Sequence, residues 1–201
     1  MKMKVYISKS RVNCGPCSFI NLAGLKGNKK LEEELASTGK LKPFKLSDYT
    51  SFLVWAKKYQ VPLEFYTASK KIDSKLFKSM FRYENISKKS QSKYKKKIKS
   101  LFGKRNKLLG KNVILLKNPI KKLDELLHKN YLVAVGICNA YLKNSKSTSL
   151  HWVVAFKKIR NKYYFMDSGK GITISTKKQL KKAFKISKKQ GFPAQLVAYK
   201  K

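Results

Sequence analysis

Apolar positions in the N-terminal part of the chain recur every third or fourth residue, the period of a helix with one buried face. Phe19, Leu22, Ala23 and Leu25 follow Cys14 in this way, and Gly24 and Gly27-Asn28 mark where that helix ends. Leu31, Leu35 and Ala36 predict a second short helix over Lys29–Ser37, ended by Gly39. Ser47-Asp48 caps a third, in which Tyr49, Phe52, Leu53, Ala56 and Tyr59 share a face before Pro62 stops it. Val5–Ser8 reads as a short strand or an extended lead-in, and Leu63–Tyr66 as a strand.

The pattern changes after residue 69. Across Ser69–Lys111, lysines alternate with Leu76, Phe77, Met80, Phe81, Tyr94, Ile98, Leu101 and Phe102. This spacing predicts two basic amphipathic helices flanking a Ser-rich loop at Ser87–Ser92, with one apolar stripe on the core. Beyond it come a short strand (Val113–Leu116), a helix on Ile120, Leu123, Leu126 and Leu127, and a continuous apolar run, Tyr131–Cys138, with the length of a buried strand. Leu150–Lys157 and Lys162–Met166 form a hairpin around Arg160-Asn161, followed by a helix over Thr176–Phe184 and a last strand over Ala194–Tyr199. Helices first and a mostly antiparallel sheet afterwards indicate an α+β class. The 201 residues fit one domain, with 69–111 as a Lys-rich helical insertion within it.

Composition narrows the options. The chain is 42% hydrophobic and holds 11 Tyr and 11 Phe, which suits a packed core rather than disorder. No apolar run reaches the ~18 residues of a membrane span. Met1-Lys2-Met3-Lys4 runs into Val5-Tyr6-Ile7 without the apolar core of a signal peptide, which predicts an intracellular, cytoplasmic protein. Three cysteines predict no disulfide framework, and Cys14 and Cys17 lack a second ligand pair at zinc spacing, so neither metal nor cofactor is expected. The 48 Lys+Arg against 10 Asp+Glu give a formal charge of +38. Such a surface attracts polyanions or acidic proteins non-specifically. Arginine appears only at 11, 82, 105 and 160, so the forked side chains that read bases and phosphates specifically are scarce.

Candidate chemistry sits at three distant places. Cys14 lies in Asn13-Cys14-Gly15-Pro16-Cys17-Ser18, where a loop enters a helix. A helix N-terminus and a nearby imidazolium both favour thiolate over thiol. Gly15 is small enough for a substrate to approach the backbone. His151 opens one strand of the hairpin and Asp167 closes the other, so pairing brings imidazole and carboxylate together. Those are the parts of a Cys-His-Asp nucleophile system. His128 follows Leu126-Leu127 at a helix C-terminus, where it meets the helix dipole instead. Cys17 is expected to pack inward, and Cys138 belongs to the buried strand.

The block Asn13-Cys14-Gly15-Pro16-Cys17-Ser18-Phe19-Ile20-Asn21-Leu22 resembles the nucleophile motif of C39-like cysteine peptidases in the papain-like superfamily. His151-Trp152-Val153-Val154-Ala155-Phe156 and Met166-Asp167-Ser168-Gly169-Lys170-Gly171 resemble that family's His strand and Asp turn. The resemblance implies a papain-like fold, with N-terminal helices on the sheet. It implies Cys14 as nucleophile, His151 as general base and acid, Asp167 as orienter, and a peptide or protein substrate. The family places a Gln roughly six residues before the nucleophile, where its amide binds the oxyanion. Here that position is Ser8, a departure from the family, and Ser8 or Ser10 is expected to donate in its place alongside the Cys14 N–H.

Other readings of the same residues stay open. Cys14-Gly15-Pro16-Cys17 also matches a thioredoxin-type redox pair. That reading lacks a strand between the first helix and Val61-Pro62, and it leaves the His151–Asp167 hairpin without a role. A papain-like acyltransferase, or a catalytically weak basic module for acidic partners, uses the same scaffold.

Overall fold

The computed structural model describes residues 5–8, 10, 13–39, 47–71, 73–83, 86–142 and 149–201. Seven helices among them surround a seven-stranded sheet, an α+β arrangement. The helices are α1 (Cys14–Ala23), α2 (Lys29–Gly39), α3 (Tyr49–Tyr59), α4 (Ser74–Tyr83), α5 (Lys88–Leu109), α6 (Pro119–His128) and α7 (Lys177–Lys189). The strands are β1 (Glu64–Thr67), β2 (Val113–Leu115), β3 (Tyr131–Cys138), β4 (Leu150–Ile159), β5 (Lys162–Asp167), β6 (Gly171–Thr176) and β7 (Gln195–Lys200). Their order across the sheet is β2-β1-β7-β3-β4-β5-β6, antiparallel except for the β1–β2 pair.

β3 is central and buried on both faces, as its unbroken Leu-Val-Ala-Val-Gly-Ile-Cys run requires. One face carries Phe19, Leu22, Phe52, Trp55, Trp152, Val154 and Phe192 under α1 and α3. The other carries Tyr66, Leu123, Val133, Val135, Phe165, Leu180 and Phe184 under α6 and α7. Helices therefore cover both faces.

Several boundaries differ from the sequence expectation. Val5–Ser8 is extended but unpaired in the sheet; the Asn21 side chain bonds both backbone groups of Tyr6, at 2.7 and 3.0 Å. The Ser-rich stretch is not a loop. Ser87 stands at the N-cap of α5, and Ser90 and Ser92 lie inside that helix. Strand β6 was not expected, and it adds an edge beyond the predicted hairpin. The sequence reads as a polar loop over Lys143–Ser149 ahead of His151, and most of that stretch lies outside the described residues.

α4 and α5 join the same core as α1 and α3. Leu76, Phe77, Met80, Ile98, Phe102 and Leu109 are buried in it, while the lysines of α5 face outward apart from partly covered Lys95. Arg105 of α5 donates to the Gly39 carbonyl at 2.7 Å, tying the end of α2 to α5. Asp48 caps α3, accepting from the Ser51 N–H at 3.1 Å. No helix among the described residues is long and apolar enough to cross a membrane.

Gly39 closes α2 against Trp55, whose indole is fully buried and donates to the Leu35 carbonyl at 2.9 Å. A Cβ at position 39 would meet that ring at 2.1 Å. Gly39→Ala is therefore expected to lower stability by about 1–3 kcal/mol through overpacking. Urea denaturation measures this; an unchanged midpoint would contradict the packing described.

Candidate functional site

Cys14 is the first residue of α1, and the helix starts without a side-chain cap. Asn13 occupies the N-cap position, but its amide turns away and donates to Glu32 Oε1 at 2.7 Å. Pro16 has no N–H, and the Cys17 N–H already bonds the Asn13 carbonyl at 3.0 Å. The orphan donors of the first turn are thus those of Cys14 and Gly15, beside the thiol.

His151 and Asp167 meet through strand pairing. Val154 stands opposite Met166, which puts Asp167 one diagonal step from His151 on the same face of the sheet. His151 Nε2 lies 3.2 Å from Asp167 Oδ1. The other ring nitrogen, Nδ1, is left for Cys14, whose side chain hydrogen-bonds the imidazole. Sulfur, imidazole and carboxylate from three distant segments thus form one chain of contacts.

Burial pushes the Cys14 thiol up, yet its pKa is held below the usual thiol value. The hydrogen bond and positive charge of His151, together with the Trp152 and Gly15 N–H groups, outweigh desolvation. For His151, burial favours the neutral ring, but Asp167 and the Cys14 thiolate hold its pKa up to about 10. Asp167 is only 2% exposed. Burial raises it, while His151, Tyr141 and the Gly169 N–H bring it down to about 2. The three shifts all favour thiolate, imidazolium and carboxylate over the neutral forms, and the groups titrate as a coupled unit.

Two partners of Asp167 escaped the sequence reading. Tyr141 donates its phenol proton to Oδ2, and the Gly169 N–H donates to Oδ1 at 2.7 Å. Tyr141 ends a 3-10 turn after β3, and its carbonyl accepts from Ser175 Oγ at 2.6 Å. A buried phenol needs an acceptor, so a Tyr closing a buried strand was the available signal.

Glu32 was also missed. It is buried at the end of α2 facing the N-terminal segment, where Tyr6 donates to it at 3.0 Å and Ser8 at 2.8 Å. Ser8, the expected oxyanion residue, points its one hydroxyl proton among the Glu32 carboxylate, the Ser10 carbonyl and the Cys17 sulfur. Its N–H donates to the Ser168 carbonyl at 2.7 Å, which brings this segment up to the Asp turn.

Gly15 serves a different purpose from the one expected. A Cβ there would sit 2.4 Å from Ser47 Cβ, so the glycine admits Ser47 rather than a substrate. Cys17 is fully buried, as expected, and Cys138 is buried in β3 with its thiol directed at the Ala183 carbonyl at 3.4 Å. His128 is exposed at the end of α6, next to the start of β3, whereas His151 pairs near that strand's end. Among the described residues no three His, Cys, Asp or Glu side chains gather as metal ligands.

No protein-family model and no curated protein matches this chain. What the site can do is therefore read from its own geometry.

Alkylation by iodoacetamide follows the thiolate fraction of Cys14. In the wild type its pH profile should have its acid inflection well below the ordinary ~8.5 of a free thiol, because falling pH must protonate a thiolate held by His151⁺. In His151→Ala the burial penalty remains and the cation is gone, so the inflection should move above ~8.5. Coincident profiles would show that His151 does not act on Cys14.

Proposed function

We propose that the protein is a cysteine peptidase of papain-like, C39-like type, hydrolysing a peptide or isopeptide bond. The observation that supports this most strongly is the hydrogen-bonded line Cys14–His151–Asp167, with pKa shifts that favour thiolate beside imidazolium. The fold and the sequence blocks around these residues are consistent with the papain-like scaffold, with α4 and α5 as an insertion into it.

In this reading the Cys14 thiolate attacks the scissile carbonyl and forms a tetrahedral oxyanion. The Cys14 N–H at the uncapped helix end is one oxyanion donor. Ser8 is the second candidate, and it serves only by turning its proton away from Glu32 and the Ser10 carbonyl. His151⁺ then protonates the leaving amine, which departs and leaves a thioester on Cys14. Neutral His151 next takes a proton from water, and the hydroxide releases the acid product and regenerates the thiolate. Asp167 keeps the ring oriented with Nδ1 towards sulfur and stabilises its cationic form. No cofactor is required. The lysine surface adds salt-sensitive attraction for acidic substrates, since neither α5 nor α7 contains a single acidic residue.

Incubation with a peptide library, followed by mass spectrometry, tests the proposal. The wild type should release cleaved peptides and carry a transient acyl group on Cys14. Cys14→Ala should abolish turnover, and His151→Ala should lower kcat/KM about 10²–10⁴-fold. Turnover should also fall as pH rises through about 10, where His151 loses the proton it gives to the leaving amine. Cleavage that survives Cys14→Ala would overturn the assignment.

A further inference from the structure

The triad leaves one reactive group and one buried carboxylate without a role. Cys17 lies one helical turn after Cys14, in the first turn of α1. Helix geometry separates the two Cα atoms by about 5 Å. That falls inside the range of about 4.4–6.8 Å that a disulfide spans. The two sulfurs also have opposite surroundings. Cys14 is partly accessible and faces His151, whereas Cys17 is fully buried and hydrogen-bonds Ser8 and Glu32. Burial, together with the Glu32 carboxylate and the Cys14 charge, pushes the Cys17 thiol up to about 12. Cys17 therefore keeps its proton until a base removes it, and Glu32 is in contact to do so.

We infer that Cys14 and Cys17 form a reversible disulfide, closed by exchange with a low-molecular-weight disulfide such as oxidised glutathione, with Glu32 as the base for Cys17. The Cys14 thiolate attacks one sulfur of the oxidant, giving a mixed disulfide and one glutathione thiolate. Cys17 passes its proton to Glu32, attacks the Cys14 sulfur, closes the ring and expels the second glutathione thiolate. The protons held by His151 and Glu32 finish on the two glutathiones. Two protein thiols are oxidised and one disulfide is reduced to two thiols. Sulfur held in that bond cannot attack a carbonyl, so the α1 turn switches the nucleophile off in oxidising conditions. This consequence for turnover rests on the peptidase reading; formation of the bond does not.

The whole chain is equilibrated with oxidised glutathione at neutral pH, then read by intact mass and by mapping of alkylated cysteines after denaturation. The expected product has lost two hydrogens, carries no glutathione, leaves only Cys138 alkylatable, and reverts with dithiothreitol. Iodoacetamide labelling of native Cys14 should fall at least about tenfold on oxidation. Cys17→Ser should stop at a glutathione adduct on Cys14, and Glu32→Gln should slow ring closure at least about tenfold, so that the adduct accumulates. A wild type that stays reduced, or that ends as a stable adduct with Cys17 still alkylatable, overturns the inference. Because the readout is mass and not cleavage, either result stands whether or not a peptide substrate is found.

Discussion

The contact between α1 and β4 sets the whole site. Trp152 follows His151 in the strand, so the alternation of β4 sends the indole into the core and the imidazole to the other side. Burying an indole is worth about 4–6 kcal/mol as an upper bound, which makes the register of this strand expensive to change. Trp152 packs on Phe52 at 4.7 Å between ring centres and donates to the Ser47 carbonyl at 2.9 Å. Ser47 in turn rests on Gly15, beside Cys14. A closed loop of contacts, Cys14–Gly15–Ser47–Trp152–His151, therefore locks thiol and imidazole together. Its rigidity comes from the core, not from the polar groups themselves.

Those polar groups carry an unusual local charge balance. Thiolate, imidazolium and carboxylate sum to one negative charge, whereas the whole chain is at +38. Every described carboxylate already has an internal partner: Glu34 with Lys58 and Tyr59, Asp124 with Lys158, Lys177 and Tyr163, Glu125 with Lys122. Lys178, Lys181, Lys182, Lys185, Lys188 and Lys189 stand exposed along α7, with no acid in that helix. The protein's far field is positive, and it favours the net negative form of this cluster. Salt weakens that contribution at exposed range and leaves the close contacts of His151 nearly untouched.

Much of this was legible in the chain. The His151 and Asp167 positions followed from one hairpin, and Cys14 from one helix start, because local periodicity places residues at the ends of elements. The α+β class followed from the order of those elements. What stayed hidden depends on contacts across long separations. Tyr141 meets Asp167 only because β3 and β5 flank β4. Glu32 begins a run of three acids in a short helix, with nothing local to set it apart, yet three side chains from the N-terminal segment donate to it. Strand β6 alternates Ile172-Thr173-Ile174-Ser175, a readable period, but the turn signals before it drew the boundary too early. The serines ahead of Lys93 looked like a loop because Ser favours turns. Ser87 stands at the N-cap position but makes no side-chain cap bond, its hydroxyl donating to Ser90 Oγ at 3.1 Å, and Ser92 is exposed on a long helix.

Glu32 gives the site its asymmetry. It holds the Asn13 amide, which makes no side-chain cap bond, and Pro16 in the first turn has no N–H to donate one. The Cys14 and Gly15 N–H groups therefore have no side-chain cap, and that of Gly15 donates to the Cys14 sulfur. Burial, with the same carboxylate lying against Cys17, holds the second thiol's pKa up, while His151 holds the first one's down despite burial. Two thiols one helical turn apart are thus shifted in opposite directions, one beside an imidazolium and the other beside a carboxylate. A helix dipole alone would favour thiolate at both. The difference between them must come from side chains outside the helix, and His151 and Glu32 are those side chains.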